Sequence, residues 1–471
     1  MFKERIKTSI IIILIINLVS LTYQSWFKSG ILGDDWLNMS FSSLPFVRFF
    51  SSENSVSVPK ENLSKARKVV LNDGSFWYPY YNTDSGFDTL NEKAADIFRS
   101  LLKGKATKEE NISYSTWLGY LSSPSVYVEY PISAEPEMFS RLLNTSYEKL
   151  NSDIETVRDF IIIPEGEDGV SVAVRDAHTN RARRFYIKDS ELSFPEEVLL
   201  MYSDRYPRDG YYEFAFSALM GQMNLGESGV VVGDMVLFSD NDSNYRDIYA
   251  SNPMSEASHG KILTGFSFSP NPLRHYRDDF GAENYVENYA TVRIFPDGYI
   301  EYSAVENDKG IDLEKSESNR YEVLNSVIDF SEKIWKAVSD EPLNVLVSGI
   351  ETIPGGTRIT FDYYHNGREV AVGLLGEGRD KLNHAIEVET FDGKIVSYRQ
   401  YLRHYTEAGS STKQENFNQA LDYFALLFNE GEETIITDIY LGYFDSGRNH
   451  QVLKTTWLGE VNNSDERFAK K

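Results

Sequence analysis

The sequence predicts an α+β protein: a single N-terminal transmembrane helix, a mixed membrane-proximal domain, then two tandem antiparallel-sheet-plus-helix units of order ββαββ. Three observations carry this. Thr8 to Phe27 is an uncharged run of helix-spanning length, and the last ~190 residues hold two successive hairpin–helix–hairpin patterns. Between them, a strong helical stripe alternates with short runs of period-two apolar residues.

The N-terminal segment comes first. Lys3, Arg5 and Lys7 precede an apolar run from Ile10 through Leu21. A helix over residues 8–27 spans about 30 Å at 1.5 Å per residue, the thickness of a bilayer's hydrocarbon. Tyr23 and Trp26 fall where an interfacial aromatic belt belongs, and Lys28 follows. The residues after the apolar core do not suit a signal peptidase, which needs small side chains. The expectation is a retained signal anchor in the cell membrane, with residues 1–7 cytoplasmic and 28–471 outside. Asn17, Ser20 and Thr22 have two readings: tolerated polar residues in a lone span, or interhelical hydrogen-bond donors toward another membrane helix.

Charge divides across that membrane. The formal net charge is −24; residues 1–7 carry +2, leaving −26 outside. Such an acidic body repels phosphate backbones, so no nucleic-acid partner is expected. With 41% hydrophobic and 14% aromatic residues, the bulk of the chain is foldable rather than disordered. The absence of cysteine excludes disulfides, thiol nucleophiles and Cys-ligated metals.

Residues 28–57 read as a connector. In the mixed region, 58–282, Phe87, Leu90, Ala94, Ile97, Phe98, Leu101 and Leu102 recur at helical spacing. Strands are expected at 125–130, 157–163, 169–175 and 182–188, and a helix from Pro195. The first ββαββ unit, 283–376, opens with a hairpin turning at Pro296-Asp297-Gly298. Its helix starts with Asn319 and Glu322 at capping-box spacing and carries the stripe Val323, Leu324, Val327, Ile328, Ser331, Ile334, Trp335 and Val338. A second hairpin turns at Asn366-Gly367. The second unit, 377–461, repeats this order: a hairpin at Asp392-Gly393, then a helix from Thr412, with Glu415 three residues on. That helix carries Phe417, Ala420, Leu421, Phe424 and Phe428 on one face, and strands at about 435–443 and 450–460 follow. Residues 462–471 read as a polar tail.

Signals of catalysis are few. Ser146-x-x-Lys149, Ser239-Asp240-Asn241 and Lys454-Thr455-Thr456 follow the motif order of penicillin-binding proteins. Thr456, however, stands where a Gly lets substrate backbone approach the edge strand. Asp240, Asp242 and Asn244 begin like a calcium loop, but Tyr245 replaces its turn Gly and Ser251 its bidentate Glu. No zincin motif joins the seven histidines, and the 71 acids guarantee carboxylate pairs without marking any as a glycosidase pair. No catalytic residue, metal site or cofactor is therefore assigned. Two candidate external interaction surfaces remain. Trp77, Tyr78 and Tyr80, beside Phe76 and Tyr81, either fill a small core or form an aromatic docking patch. Arg181, Arg183 and Arg184 either cap a hairpin tip or meet an acidic partner.

Beside the anchor stand Phe268–Arg274 (FSPNPLR), Val292–Tyr302 (VRIFPDGYIEY) and Phe361–Gly367 (FDYYHNG). In these segments the chain resembles the YycH family, membrane-anchored regulators of the essential cell-wall two-component system of Gram-positive bacteria. Leu441-Gly442-Tyr443 and Lys454-Thr455-Thr456-Trp457 look like the family's terminal hairpin, where Pro-x-Trp is commoner and Thr455 departs from it. YycI proteins share the C-terminal units. The resemblance implies a non-enzymatic regulator whose partners are a sensor histidine kinase and a YycI-like companion. An extracytoplasmic wall enzyme or peptidoglycan-binding module is the alternative.

Overall fold

In a computed structural model, the described residues are 58–471 apart from 149, 151–152, 193–198, 200–210, 220–229, 240–243, 256–257, 271–273, 288, 314–318, 374–381, 415, 428–433, 448–450, 462–466 and 470–471. The expected anchor, with Asn17, Ser20 and Thr22, the connector 28–57, the helix from Pro195 and Phe428 all lie outside the described residues. Among the described residues no helix is long and apolar enough to cross a membrane.

Alternation builds the first sheet. After a short helix α1 (Val58–Asn62), the strands are β1 (Lys68–Asn72), β2 (Trp77–Tyr80), β3 (Ala106–Ile112), β4 (Ser125–Ala134), β5 (Val157–Pro164), β6 (Val170–Asp176) and β7 (Ala182–Ile187). They pair antiparallel in the order β2-β1-β4-β5-β6-β7-β3. Side chains point to alternate faces. Val69, Leu71, Val126, Val128, Phe160 and Ile162 therefore share one core, while Val70, Tyr127 and Ile161 share another. The first face is covered by α2 (Phe87–Leu102), whose predicted stripe is wholly buried. Phe98 stacks on Phe160 at 4.5 Å between centroids and meets Phe139 of the neighbouring helix Pro136–Leu142. The second face carries α3 (Tyr114–Leu121), capped by Ser113 accepting from the Thr116 N–H and burying Trp117 and Leu121.

The C-terminal part forms a larger sheet. Its strands include β8 (Val230–Val232), β9 (Arg274–Arg277), β10 (Glu283–Glu287), β11 (Ala290–Ile294), β12 (Tyr299–Ala304), β13 (Val345–Ile353), β14 (Gly356–His365), β15 (Arg368–Val372), β16 (Ile386–Phe391) and β17 (Lys394–Tyr401). It ends with β18 (Thr434–Asp445), β19 (Thr455–Val461) and β20 (Arg467–Ala469). The main order is β9-β10-β11-β12-β17-β16-β14-β15-β18-β19-β20, with β13 on β14 and β8 on β18. Turn chemistry sets the hairpins: Asn366-Gly367 and Asp392-Gly393 all have positive φ, as a two-residue type I′ turn requires. The long helix α4 (Arg320–Trp335) buries Leu324, Val327, Ile328, Ile334 and Trp335, and its cap is Asn319 accepting from the Tyr321 N–H.

Four expectations are corrected. The two hairpin–helix–hairpin units do not form separate sheets: β16–β17, from the second, lies between β12 and β14 of the first. An isolated hairpin is marginal in water, and this insertion gives it a partner on each side. The boundary at 282 also fails, because β9 pairs with β10 across it; its exposed Arg-His-Tyr-Arg sequence carries no apolar alternation to read. Thr412 belongs to a strand, His404–Lys413, paired opposite Tyr245, and the helix starts at Phe417 with Asn416 accepting from the Asn418 N–H. Finally, the tail contributes β20, paired on β19.

The turn before Tyr299 tests these contacts. Gly298 has φ 99°, and a Cβ there would lie 2.8 Å from the Leu402 carbonyl oxygen. Gly298→Ala is expected to destabilise the protein by about 1–3 kcal/mol, measured by urea unfolding.

Candidate functional site

The two sheets share one apolar core, and beside it they also meet through charge. On β1, Lys68 lies on the face opposite the α2 core, and the strand register sets it beside Glu129 of β4, which in turn pairs with Asp159 of β5. On the second sheet, Asp438 of β18 and Glu460 of β19 are direct cross-strand partners. Like charges placed opposite one another are unfavourable. Cations from the first sheet resolve the conflict: Arg67 Nη2 lies 3.3 Å from both Asp438 Oδ2 and Glu460 Oε1. Lys68 Nζ stands 3.0 Å from Glu129 Oε2 and 3.8 Å from Asp438 Oδ2. The Arg67 guanidinium also sits over the Tyr440 ring, 4.4 Å from its centroid. The cluster continues inward. Arg158 Nη2 reaches Glu129 Oε1 at 3.4 Å, Tyr127 donates its hydroxyl to Glu129 and Asp159 at 3.1 Å each, and Arg175 pairs with Asp159. Arg67, Lys68, Arg158 and Arg175 thus face Glu129, Asp159, Asp438 and Glu460, four charges of each sign.

Their protonation is unequal. Burial opposes the charge of Glu129, but Lys68, Arg158 and Arg67 outweigh it and hold the carboxyl well below the usual range. Burial also opposes the charge of Lys68, and Asp438 and Glu129 outweigh it, keeping the ammonium charged. At Asp438 burial wins and its carboxyl is raised above the usual range, despite Lys68 and Arg67. Glu129 is thus the firmly ionised centre of the junction.

Beside this cluster the sheets enclose a cavity of about 1010 Å³. The β1–β4–β5–β6 face forms one wall, and β13, β14, β18 and β19 the other. Burial pushes the Tyr81 phenol on its wall up to about 12. Ser348, His384 and Asp362 also come together, but Ser348 Oγ and an Asp362 carboxylate oxygen meet the same ring nitrogen, Nδ1, at 3.2 and 3.0 Å. A nucleophilic triad uses the two different nitrogens. Among the described residues, no group of three or more His, Asp or Glu is placed to hold a metal ion.

The surfaces singled out from sequence fare differently. Tyr80 is fully buried, and Trp77 donates Nε1–H to the Leu121 carbonyl at 2.9 Å and meets Phe214 edge-on. Tyr78 is half-buried and donates its hydroxyl to Asp73 at 3.0 Å, so these rings work mainly as core. Arg183 pairs with Glu109 and Asp153, and Arg184 with Glu110 and Glu165. Their charges are answered across the β3–β7 edge, whereas Arg181 is exposed, 3.8 Å from Asp153. Ser239 lines the cavity, Ser146 and Lys454 do not, and Lys149, Asp240 and Asn241 lie outside the described residues. The junction itself was missed. Only the isolated charges in otherwise apolar strands, Lys68, Glu129 and Asp159, signalled it.

The fold is of the α+β class: a seven-stranded antiparallel sheet docks on a 14-stranded mixed one, and two small sheets of two and three strands accompany them. It is YycH-like: the chain superposes on the crystal structure of YycH from Bacillus subtilis with a TM-score of 0.56 and 9% identity, covering 88% of this chain and 98% of that one. At that identity the likeness is one of fold. An uncharacterized protein from Eubacterium rectale matches with a TM-score of 0.27 and 10% identity, over 51% of this chain and 87% of that one. No family model and no curated protein matches the sequence.

The unequal protonation sets the expected mutational response. Glu129→Gln leaves Lys68 and Arg158 without their shared carboxylate and should cost about 3–5 kcal/mol at about pH 7, whereas Asp438→Asn should cost far less. The pH sign follows. Glu129, lowered on folding, stabilises above its unfolded value of about 4.3 and loses that contribution as pH falls below it. Asp438, raised on folding, favours the folded state most at low pH and loses that contribution as pH rises through its folded value. Urea unfolding at about pH 7 and about pH 4 should show the Glu129→Gln deficit shrinking in acid. Equal losses from the two substitutions would contradict the assignment.

Proposed function

We propose that this chain is a non-catalytic, membrane-anchored regulator that modulates a sensor histidine kinase of a cell-wall two-component system, alongside a YycI-like companion. The observation that carries the reading is the YycH-like fold, which spans nearly all of the compared YycH chain. The N-terminal sequence supports it: residues 8–27 have the length and apolarity of a single span, with positive charge on the side expected to be cytoplasmic.

The physical mechanism is differential helix association. A span that associates better with one conformation of the kinase's membrane helices shifts the population toward that state. A preference of about 1.4 kcal/mol changes the ratio tenfold, which a few interhelical contacts supply. Within the apolar run of that span, Asn17, with Ser20 and Thr22 near its end, can make such contacts through hydrogen bonds.

The test exchanges residues 8–27 for an unrelated apolar helix and follows a reporter of the response regulator in intact cells. Loss of regulation, with the exchanged protein still at the membrane in normal amount, is the expected result. Unchanged regulation would sink the helix-association mechanism.

A further inference from the structure

The cavity between the sheets is built for more than holding them together. At about 1010 Å³ it stands at the top of the ~300–1,000 Å³ range of small-molecule sites. Its walls carry eight tyrosines and Trp457, with nine acidic side chains against five basic ones. An anion alone would enter against that excess of negative charge. A neutral sugar could stack on the rings but would leave the excess unanswered. A ligand bearing an ammonium group meets both features, because carboxylates and tyrosine faces each attract a cation.

One group on the wall asks for the opposite charge. Arg158 Nε is buried and has no hydrogen-bond partner. Its Nη2 touches only one oxygen of Glu129, at 3.4 Å, while that carboxylate is held more closely by Lys68 at 3.0 Å. The side chain as a whole is 32% exposed and lines the cavity. A guanidinium offers five donors in a planar fork, a shape that accepts a carboxylate through two parallel bonds. A cavity that attracts a cation overall yet presents one under-used guanidinium suits a ligand with both charges.

We propose that this cavity binds a short zwitterionic peptide, its carboxylate at the Arg158 guanidinium and its ammonium group among the acidic, tyrosine-lined walls. Such a ligand would touch both sheets at once and tighten their junction. This assignment does not depend on the kinase reading, since it concerns the cavity alone.

The test uses the full-length chain in lipid nanodiscs, titrated calorimetrically with alanyl-alanine in its L,L and D,D forms. The N-acetylated and C-amidated versions serve as controls. At least one stereoisomer should bind, and removing either charge should weaken it about tenfold or more. Binding of the L,L form points to peptides of ribosomal origin, and binding of the D,D form to wall-derived ones. Arg158→Gln should weaken the free dipeptide about as much as amidation does and should leave the amidated form unaffected. If Arg158→Gln fails to fold, Ser133→Phe fills the cavity with every charge retained and should abolish binding. The proposal is overturned if neither stereoisomer binds at about 10 mM. It is equally overturned if the amidated dipeptide binds as well as the free one, or if both variants leave affinity unchanged.

Discussion

Asp438 and Glu460 stand side by side on adjacent strands of the large sheet, and the architecture turns on what neutralises them. A pair of carboxylates in that position disfavours its own ladder. Arg67, held at the start of β1 by its N–H donating to the Glu129 carbonyl, inserts its guanidinium between the two and lies over Tyr440. The C-terminal sheet thus depends for its electrostatic balance on a residue about 370 positions earlier in the chain.

Ionic clusters of this kind are weak sources of net stability, because desolvation offsets most of the Coulomb attraction. Their influence falls on register. A shear of one sheet against the other would leave Lys68, which is 5% exposed, or Glu129, at 7%, without a partner in a low-dielectric space. Apolar contacts tolerate small slides, whereas a lattice of four cations and four carboxylates does not. Another buried pair, Arg403 and Asp445, acts similarly within the C-terminal part. Tyr405 and Gln451 donate to the same carboxylate, and the Arg403 guanidinium lies near the Tyr401 ring.

The charged seam is one part of the contact between the sheets. A single apolar core runs from under α2 to under α4 and holds residues of both sheets, Val69, Ile132 and Phe160 with Tyr302, Val345 and Ile359 among them, and another gathers around Trp117. The cavity lies where long charged side chains, rather than this core, line the space between the sheets.

Much of the local structure was legible in the sequence, for identifiable reasons. The stripe from Phe87 to Leu102 and the one from Leu324 to Trp335 repeat at helical period and bury the faces they predict. Asn366-Gly367 and Asp392-Gly393 specify two-residue turns because few other pairs adopt positive φ twice in succession. These are decisions made within about twenty residues. What only the tertiary structure decided is which strands become neighbours: that β16–β17 slots between β12 and β14, that Arg-His-Tyr-Arg at 274–277 forms an edge, and that Lys68, Glu129 and Asp438 share one site. Periodicity reports which face of a strand is buried but not which partner buries it. A charge within an apolar strand signals a buried ion pair without naming the other ion. The partners are chosen by long-range fit, and that information is spread over the whole chain.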